Sequence, residues 1–140
     1  MAVSIIVACH GPLAAALKTS AEMICGPLRN VSAIVLEPDD SPEEFQVRLE
    51  AAVDAIAGPV LVLADLMGGT PHNVAALVLH GRAHAVLVSG VSLGLLIEAA
   101  TSLRAVDEPA IADLVARGRD ALSAWHPPAV GGVARGMDTP

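Results

Sequence analysis

Aromatic side chains are nearly missing from this chain: one Phe, one Trp and no Tyr among 140 residues. With 54% of the residues hydrophobic, the core must be built from Val, Leu, Ile and Ala on closely approaching elements. Cysteine is equally scarce. Cys9 and Cys25 are too few for a disulfide framework and lack the spacing of a thiolate metal site. Basic residues are few, with 8 Lys and Arg against 15 Asp and Glu, a formal net charge of −7. That balance argues against nucleic acid and against an anionic membrane surface as partners, and reads first as solubility. No apolar run approaches the ~18 residues of a membrane span. No basic stretch precedes an apolar one at the amino terminus, so no signal peptide is read there. The length suits one domain, and the expected location is cytoplasmic.

What is present is alternation. Apolar, strand-like runs occupy residues 3–9, 31–36, 60–64 and 83–89, rich in β-branched side chains. Cys9, inside the first run, reads as a small apolar core residue. Helical segments lie between the runs. Leu13, Leu17, Ala21 and Ile24 fall at helical spacing. Ser41-Pro42-Glu43-Glu44 is a helix start, with a serine cap and proline at the first position. Phe45, Leu49, Ala52, Val53 and Ile56 then form one stripe. Thr70-Pro71 opens a third helix to about residue 79. A fourth runs from about residue 93 to 103, and a fifth from Glu108-Pro109 to about Trp125. Strands alternating with helices predict an open, doubly wound, mostly parallel α/β sheet with helices on both faces. Residues 1–125 form the domain. The tail 126–140, with three prolines and three glycines, reads as irregular. An antiparallel edge strand at the carboxyl terminus is left open, although Pro127-Pro128 makes a poor strand.

Two strand ends carry chemistry. The first run closes on His10, followed by Gly11-Pro12, a sharp turn into a helix with proline at its first position. The third closes on Asp65, followed by Leu66-Met67-Gly68-Gly69-Thr70-Pro71-His72-Asn73. Paired glycines permit positive φ and close backbone approach to a ligand. The helix start offers free amides to an anion, and Thr70 can cap it and offer a hydroxyl. In the strand order 2-1-3-4, His10 and Asp65 meet at the topological switch point, where open α/β sheets bind ligands. A carboxylate there fixes the imidazole tautomer and leaves the other ring nitrogen as a nucleophile. Each feature alone has a plainer structural explanation. Together they describe a phosphohistidine site.

Ala8-Cys9-His10-Gly11, Asp65-x-x-Gly68-Gly69-Thr70-Pro71-x-Asn73 and Val88-Ser89-Gly90-Val91-Ser92-Leu93 resemble the IIA domain of mannose-type sugar phosphotransferase systems over residues 1–125. The resemblance implies a phosphotransferase: His10 accepts a phosphoryl group from the phosphocarrier HPr and passes it to a IIB component for sugar uptake and phosphorylation. It implies Asp65 as the orienting carboxylate and Gly68, Gly69 and Thr70 as the phosphoryl-binding positions. It implies no metal or other cofactor, a homodimer, in some members with an exchanged carboxyl-terminal edge strand, and contact with the membrane only through permease components. The donor-facing surface around His10 is expected to be apolar, with Met23 and Met67 as candidate contacts. His72 stands where the family often has an aromatic residue; it reads as a surface or packing residue, with a second base as the alternative. Ser92-Leu93-Gly94 replaces a more usual Asn-Leu-Pro. His80, His84 and His126 read as surface residues.

Three other readings remain at this point. The same chemistry suits a regulatory phosphocarrier without a permease, or the phosphodonor of a dihydroxyacetone kinase. A small metal-binding or chelatase-like α/β domain would use His10 as a ligand.

Overall fold

The computed structural model describes residues 2–129. Nine elements follow one another: β1 (Ser4–His10), α1 (Leu13–Cys25), β2 (Val31–Leu36), α2 (Pro42–Asp54), β3 (Val60–Ala64), α3 (Thr70–Leu79), β4 (Ala85–Ser89), α4 (Leu93–Ser102) and α5 (Glu108–Asp120). The four strands form one sheet in the order β2-β1-β3-β4, and every pairing is parallel. This is the expected open α/β sheet. The antiparallel edge strand is not among the pairings of the described residues. Of the tail, residues 130–140 lie outside the described part, and His126 to Ala129 are exposed.

The sheet is covered on both faces because side chains alternate along each strand. Ile5, Val7, Cys9, Leu61 and Leu63 pack with Ala14, Ala21, Leu95, Leu96, Ala99 and Leu114 of α1, α4 and α5. Ile6, Ala8, Val60 and Val62 pack with Phe45, Leu49 and Val53 of α2 and with Val74, Ala75, Val78 and Leu79 of α3. Small residues such as Ala14 and Ala21, both fully buried, let α1 lie close to the strands. That is how a core with one Phe fills its volume. Cys9 is fully buried, as its place in the first run predicts. Burial, and then the nearby Asp65 carboxylate, push its thiol up to about 12. Among the described residues, no helix is long and apolar enough to cross a membrane.

Among the boundaries that differ from the sequence expectation, four have a local reason. Pro12 is the cap residue before α1 rather than its first residue, because Gly11, at φ +57, makes the turn immediately ahead of it. Gly69, not Thr70, caps α3, and Thr70 is already helical. β4 begins at Ala85 because the turn from α3 uses Gly81 at φ +76 and His84 at φ +58. α5 stops at Asp120, short of Trp125. Leu114 is its only buried residue, and residues 121–129 are exposed, so no apolar contact extends the helix.

Candidate active site

The parallel arrangement places the carboxyl ends of β1, β3 and β4 side by side. His10 is the last residue of β1, paired with Leu36 of β2. Ala8 pairs with Ala64 of β3, and Ala64 pairs with Ser89 of β4. Asp65 follows Ala64 directly, so its carboxylate reaches across to the end of the neighbouring strand. Its Oδ2 accepts a hydrogen bond from the His10 main-chain N–H at 3.0 Å. The same oxygen lies 2.9 Å from His10 Nδ1. A carboxylate can only accept, so Nδ1 carries the proton and Nε2 keeps its lone pair. The imidazole is 45% exposed while the Asp65 side chain is only 14% exposed. The ring is thus half-exposed above a sheltered carboxylate anchor. Burial alone would raise the Asp65 carboxyl, but the hydrogen bonds from the His10 ring and main chain hold it below the ordinary aspartate range. Asp65 Oδ1 is buried and has no hydrogen-bond partner among the described residues. It keeps negative charge beneath the ring, where a developing imidazolium would be stabilised.

The glycine loop closes over the ring. Gly68 has φ +84, a backbone state that a side chain would oppose. Gly69 has an ordinary φ of −76, and its requirement is different. A Cβ there would sit 2.8 Å from His10 Cε1 and 3.4 Å from Nε2, so glycine is needed for the loop to touch the imidazole. The Gly69 amide donates to the Leu66 carbonyl at 3.0 Å and is engaged inside the loop. The Gly68 carbonyl accepts from Asn73 Nδ2 at 3.1 Å, and the Asn73 amide donates to the Gly69 carbonyl at 2.9 Å. Among the described residues, the amides of Gly68 and Thr70 and the Thr70 hydroxyl have no hydrogen-bond partner. They stand at the amino terminus of a ten-residue helix, where partial positive charge favours an anion.

The structure thus brings His10, Asp65, Gly68, Gly69 and Thr70 to one edge. Asn73 pins the loop, a role that spacing alone does not reveal. His72, half-buried in the first turn of α3, bonds through Nδ1 to the Ser89 hydroxyl. That contact ties the first turn of α3 to the end of β4. His80, His84 and His126 are exposed, as expected. Met67 is 79% exposed in the glycine loop, together with Leu66 at 62% and Leu13 at 40% in the first turn of α1. Met23 is not a contact of this edge. It lies near the far end of α1, ten residues beyond Leu13 and so about 15 Å away along the axis at 1.5 Å per residue. Among the described residues, no three His, Cys, Asp or Glu side chains gather as a metal-ligand group.

A half-exposed imidazole backed by a carboxylate, beside a helix start with free amides on an open α/β sheet, is the arrangement that a phosphohistidine-type phosphotransferase requires. Residues 4–117 match the family described as "PTS system fructose IIA component", and the chain belongs to that family, whose IIA components are phosphotransferases with a phosphohistidine intermediate. It is 32% identical over 120 residues to the PTS system mannose-specific EIIAB component of Escherichia coli (strain K12), a match covering 83% of this chain and 36% of that protein. The chain thus spans little more than a third of that relative. It is 33% identical over 98 residues to the PTS system fructose-specific EIIA component of Bacillus subtilis (strain 168), covering 69% of this chain and 67% of that protein. Among solved structures, the mannose/sorbose-specific IIA subunit from Enterococcus faecalis superposes with a TM-score of 0.84 at 32% identity, covering 92% of this chain and 98% of that one.

Proposed function

We propose that this protein is a phosphoryl carrier of a sugar phosphotransferase system, with His10 as the carrier residue, HPr as donor and a IIB component as acceptor. The observation that carries the reading is the bond from His10 Nδ1 to Asp65 Oδ2 at 2.9 Å, which leaves Nε2 as the nucleophile. In the forward step the Nε2 lone pair attacks phosphorus on the donor phosphohistidine. The donor N–P bond breaks, and its electron pair returns to the donor nitrogen. The Nδ1 proton stays on His10, held by Asp65, so no proton needs to leave the ring. Transfer to IIB is the same step reversed on a different imidazole. Positioning and charge stabilisation supply the catalysis. The amides of Gly68 and Thr70 and the Thr70 hydroxyl hold the phosphoryl oxygens, while Gly69 gives the ring its space.

Residues 1–125 act as the carrier domain, and 126–140 as its tail. The cytoplasm is the expected compartment, since donor and acceptor exchange phosphoryl groups on that side, and the membrane is reached only through permease components. A homodimer is supported by the exposed edge of β4 and by an apolar groove of about 860 Å³ beside it, lined by Leu87, Leu95, Ile111, Val115 and Leu122 among others. A monomer mass at micromolar concentration in sedimentation equilibrium would remove the dimer.

The direct test is intact-mass measurement after incubation with phosphoenolpyruvate, enzyme I and HPr. One phosphoryl adduct on the wild type and none on His10→Ala is the expected result. An adduct that survives in His10→Ala overturns the assignment.

A further inference from the structure

The glycine loop has no slack against the ring it serves. At Gly69 even a methyl group would fall 2.8 Å from His10 Cε1, so the position of the loop sets the position of the imidazole. Its front end, Asp65, leaves β3 directly after Ala64, which pairs with Ser89 of β4. The Ala64 carbonyl also accepts from the amides of Gly90 and Val91, each at 3.0 Å, so the ends of β3 and β4 are locked together. Its rear end runs into the first turn of α3, where His72 Nδ1 meets the Ser89 hydroxyl. Both ends of the loop therefore rest on one residue, Ser89. The path from Ser89 to Ala64, through Asp65 and the glycines to His72 and back to Ser89, is a closed ring. Besides this last link, the start of α3 is anchored by apolar packing of buried Pro71, Val74 and Ala75, which carries no directional bond, and the Asn73 bonds tie the loop only to its own helix.

We infer that His72 and Ser89 are positioning residues for phosphoryl transfer: their side-chain hydrogen bond closes this ring and fixes the glycine loop, and through Gly69 the imidazole, in the geometry of attack. The inference rests on His10 being the carrier residue. Neither side chain touches the reacting atoms. Their effect is read in the transfer step, because loosening the loop lets Nε2 drift from the line of attack; the same loop carries exposed Leu66 and Met67, so donor binding can weaken beside it but not in its place.

The test follows phosphorylation of the full chain by phosphoenolpyruvate, enzyme I and varied HPr, for the wild type, His10→Ala, Ser89→Ala, His72→Ala and His72→Asn. Loss of the bond is expected to lower kcat about tenfold or more, since misplacement on the order of 1 Å costs up to about a hundredfold. Asparagine carries a polar atom where Nδ1 stands and is expected to restore most of kcat. Ser89→Ala removes a single oxygen, its fold is checked by a thermal midpoint near that of the wild type, and it decides the matter should His72→Ala not fold. Wild-type kcat in Ser89→Ala overturns the clamp, as does a loss in His72→Asn equal to that in His72→Ala, or a change confined to KM. Labelling of His10→Ala, or no label on the wild type, removes the carrier reading itself and the clamp with it.

Discussion

At the residue scale the site turns on two contacts whose loss has different signatures. Gly69 has an ordinary φ of −76, so Gly69→Ala carries no φ penalty, although its Cβ would lie 3.2 Å from the Leu66 carbonyl. What it does is drive a methyl group into a space 2.8 Å from His10 Cε1. The expected outcome is a fall in the initial rate of labelling by phospho-HPr of about a hundredfold, with a thermal midpoint close to the wild type. A rate within twofold of wild type would show that the loop moves freely and that the contact is incidental. Asp65→Asn changes the electronics instead. The amide can present either its oxygen or its NH₂ group to Nδ1, so the tautomer is no longer fixed, and the negative charge under the ring is gone. The labelling rate is expected to drop by about 10²-fold or more. The same substitution reports on stability. The folded Asp65 carboxyl lies below its ordinary value of 3.8, so its stabilising contribution is present above that value and is lost as pH falls through the depressed folded value. Thermal midpoints of wild type and Asp65→Asn are expected to differ near neutral pH and to converge as pH falls below the ordinary aspartate value of 3.8 and through the depressed folded value. A gap that persists in acid would mean that the carboxylate contributes through shape, not through ionisation.

At the scale of elements, the legible parts are those with local causes. Ser41, Pro42 and Glu44 announce α2 because the cap is made within four residues: the Ser41 hydroxyl accepts from the Glu44 amide at 3.1 Å. Ser41→Ala is expected to cost about 1 kcal/mol, read as a lowered midpoint in chemical unfolding, with labelling of His10 unaffected. Phe45, Leu49 and Val53 read as a stripe and are buried as one. His10 and Asp65 are legible as partners because parallel topology sends strand ends to one edge. Less is legible where a distant contact decides. The cap of α3 falls on Gly69 instead of Thr70, since the loop tightens through the bond from the Gly69 amide to the Leu66 carbonyl, which no propensity encodes. The end of α5 depends on the absence of a packing surface beyond Asp120. The contact between His72 and Ser89 spans 17 positions, and the pairing of β3 with β4 and the packing of α3 on β4 bring them together. Ser89 carried one signal that could have marked it: a polar residue ending a strand just before a glycine, at the same edge as His10 and Asp65.

At the scale of the whole molecule, the parallel sheet makes the protein polar in function. All four strands point their carboxyl ends at one edge, where His10, Asp65 and the glycine loop stand, while α1 carries its own carboxyl end to the opposite edge. Exposed apolar side chains occur at both. Leu13, Leu66 and Met67 lie on the segments that follow β1 and β3 at the His10 edge, and Met23, 84% exposed, with Ile24, 65% exposed, lie at the far end of α1. Exposure alone does not distinguish them; position does. A donor imidazole must come within near-attack distance of His10 Nε2, about 3–3.5 Å for a reacting pair, so its protein surface necessarily covers the first group and cannot also reach the second. The loop group should contribute to donor affinity without entering the transfer step. Met67→Asp is therefore expected to raise KM for HPr several-fold, by the roughly 1 kcal/mol that a peripheral interface residue contributes, while kcat and the thermal midpoint stay unchanged. Met23→Asp, an equal change in charge and polarity on a similarly exposed side chain, is expected to leave both kinetic constants alone. Equal effects from the two would mean that net acidity, already −7, governs the encounter through long-range repulsion. That outcome would be recognised by its disappearance at high salt, since exposed charges beyond a Debye length of about 10 Å at 0.1 M are screened. A loss confined to Met67→Asp and insensitive to salt would place the donor on the His10 edge by contact.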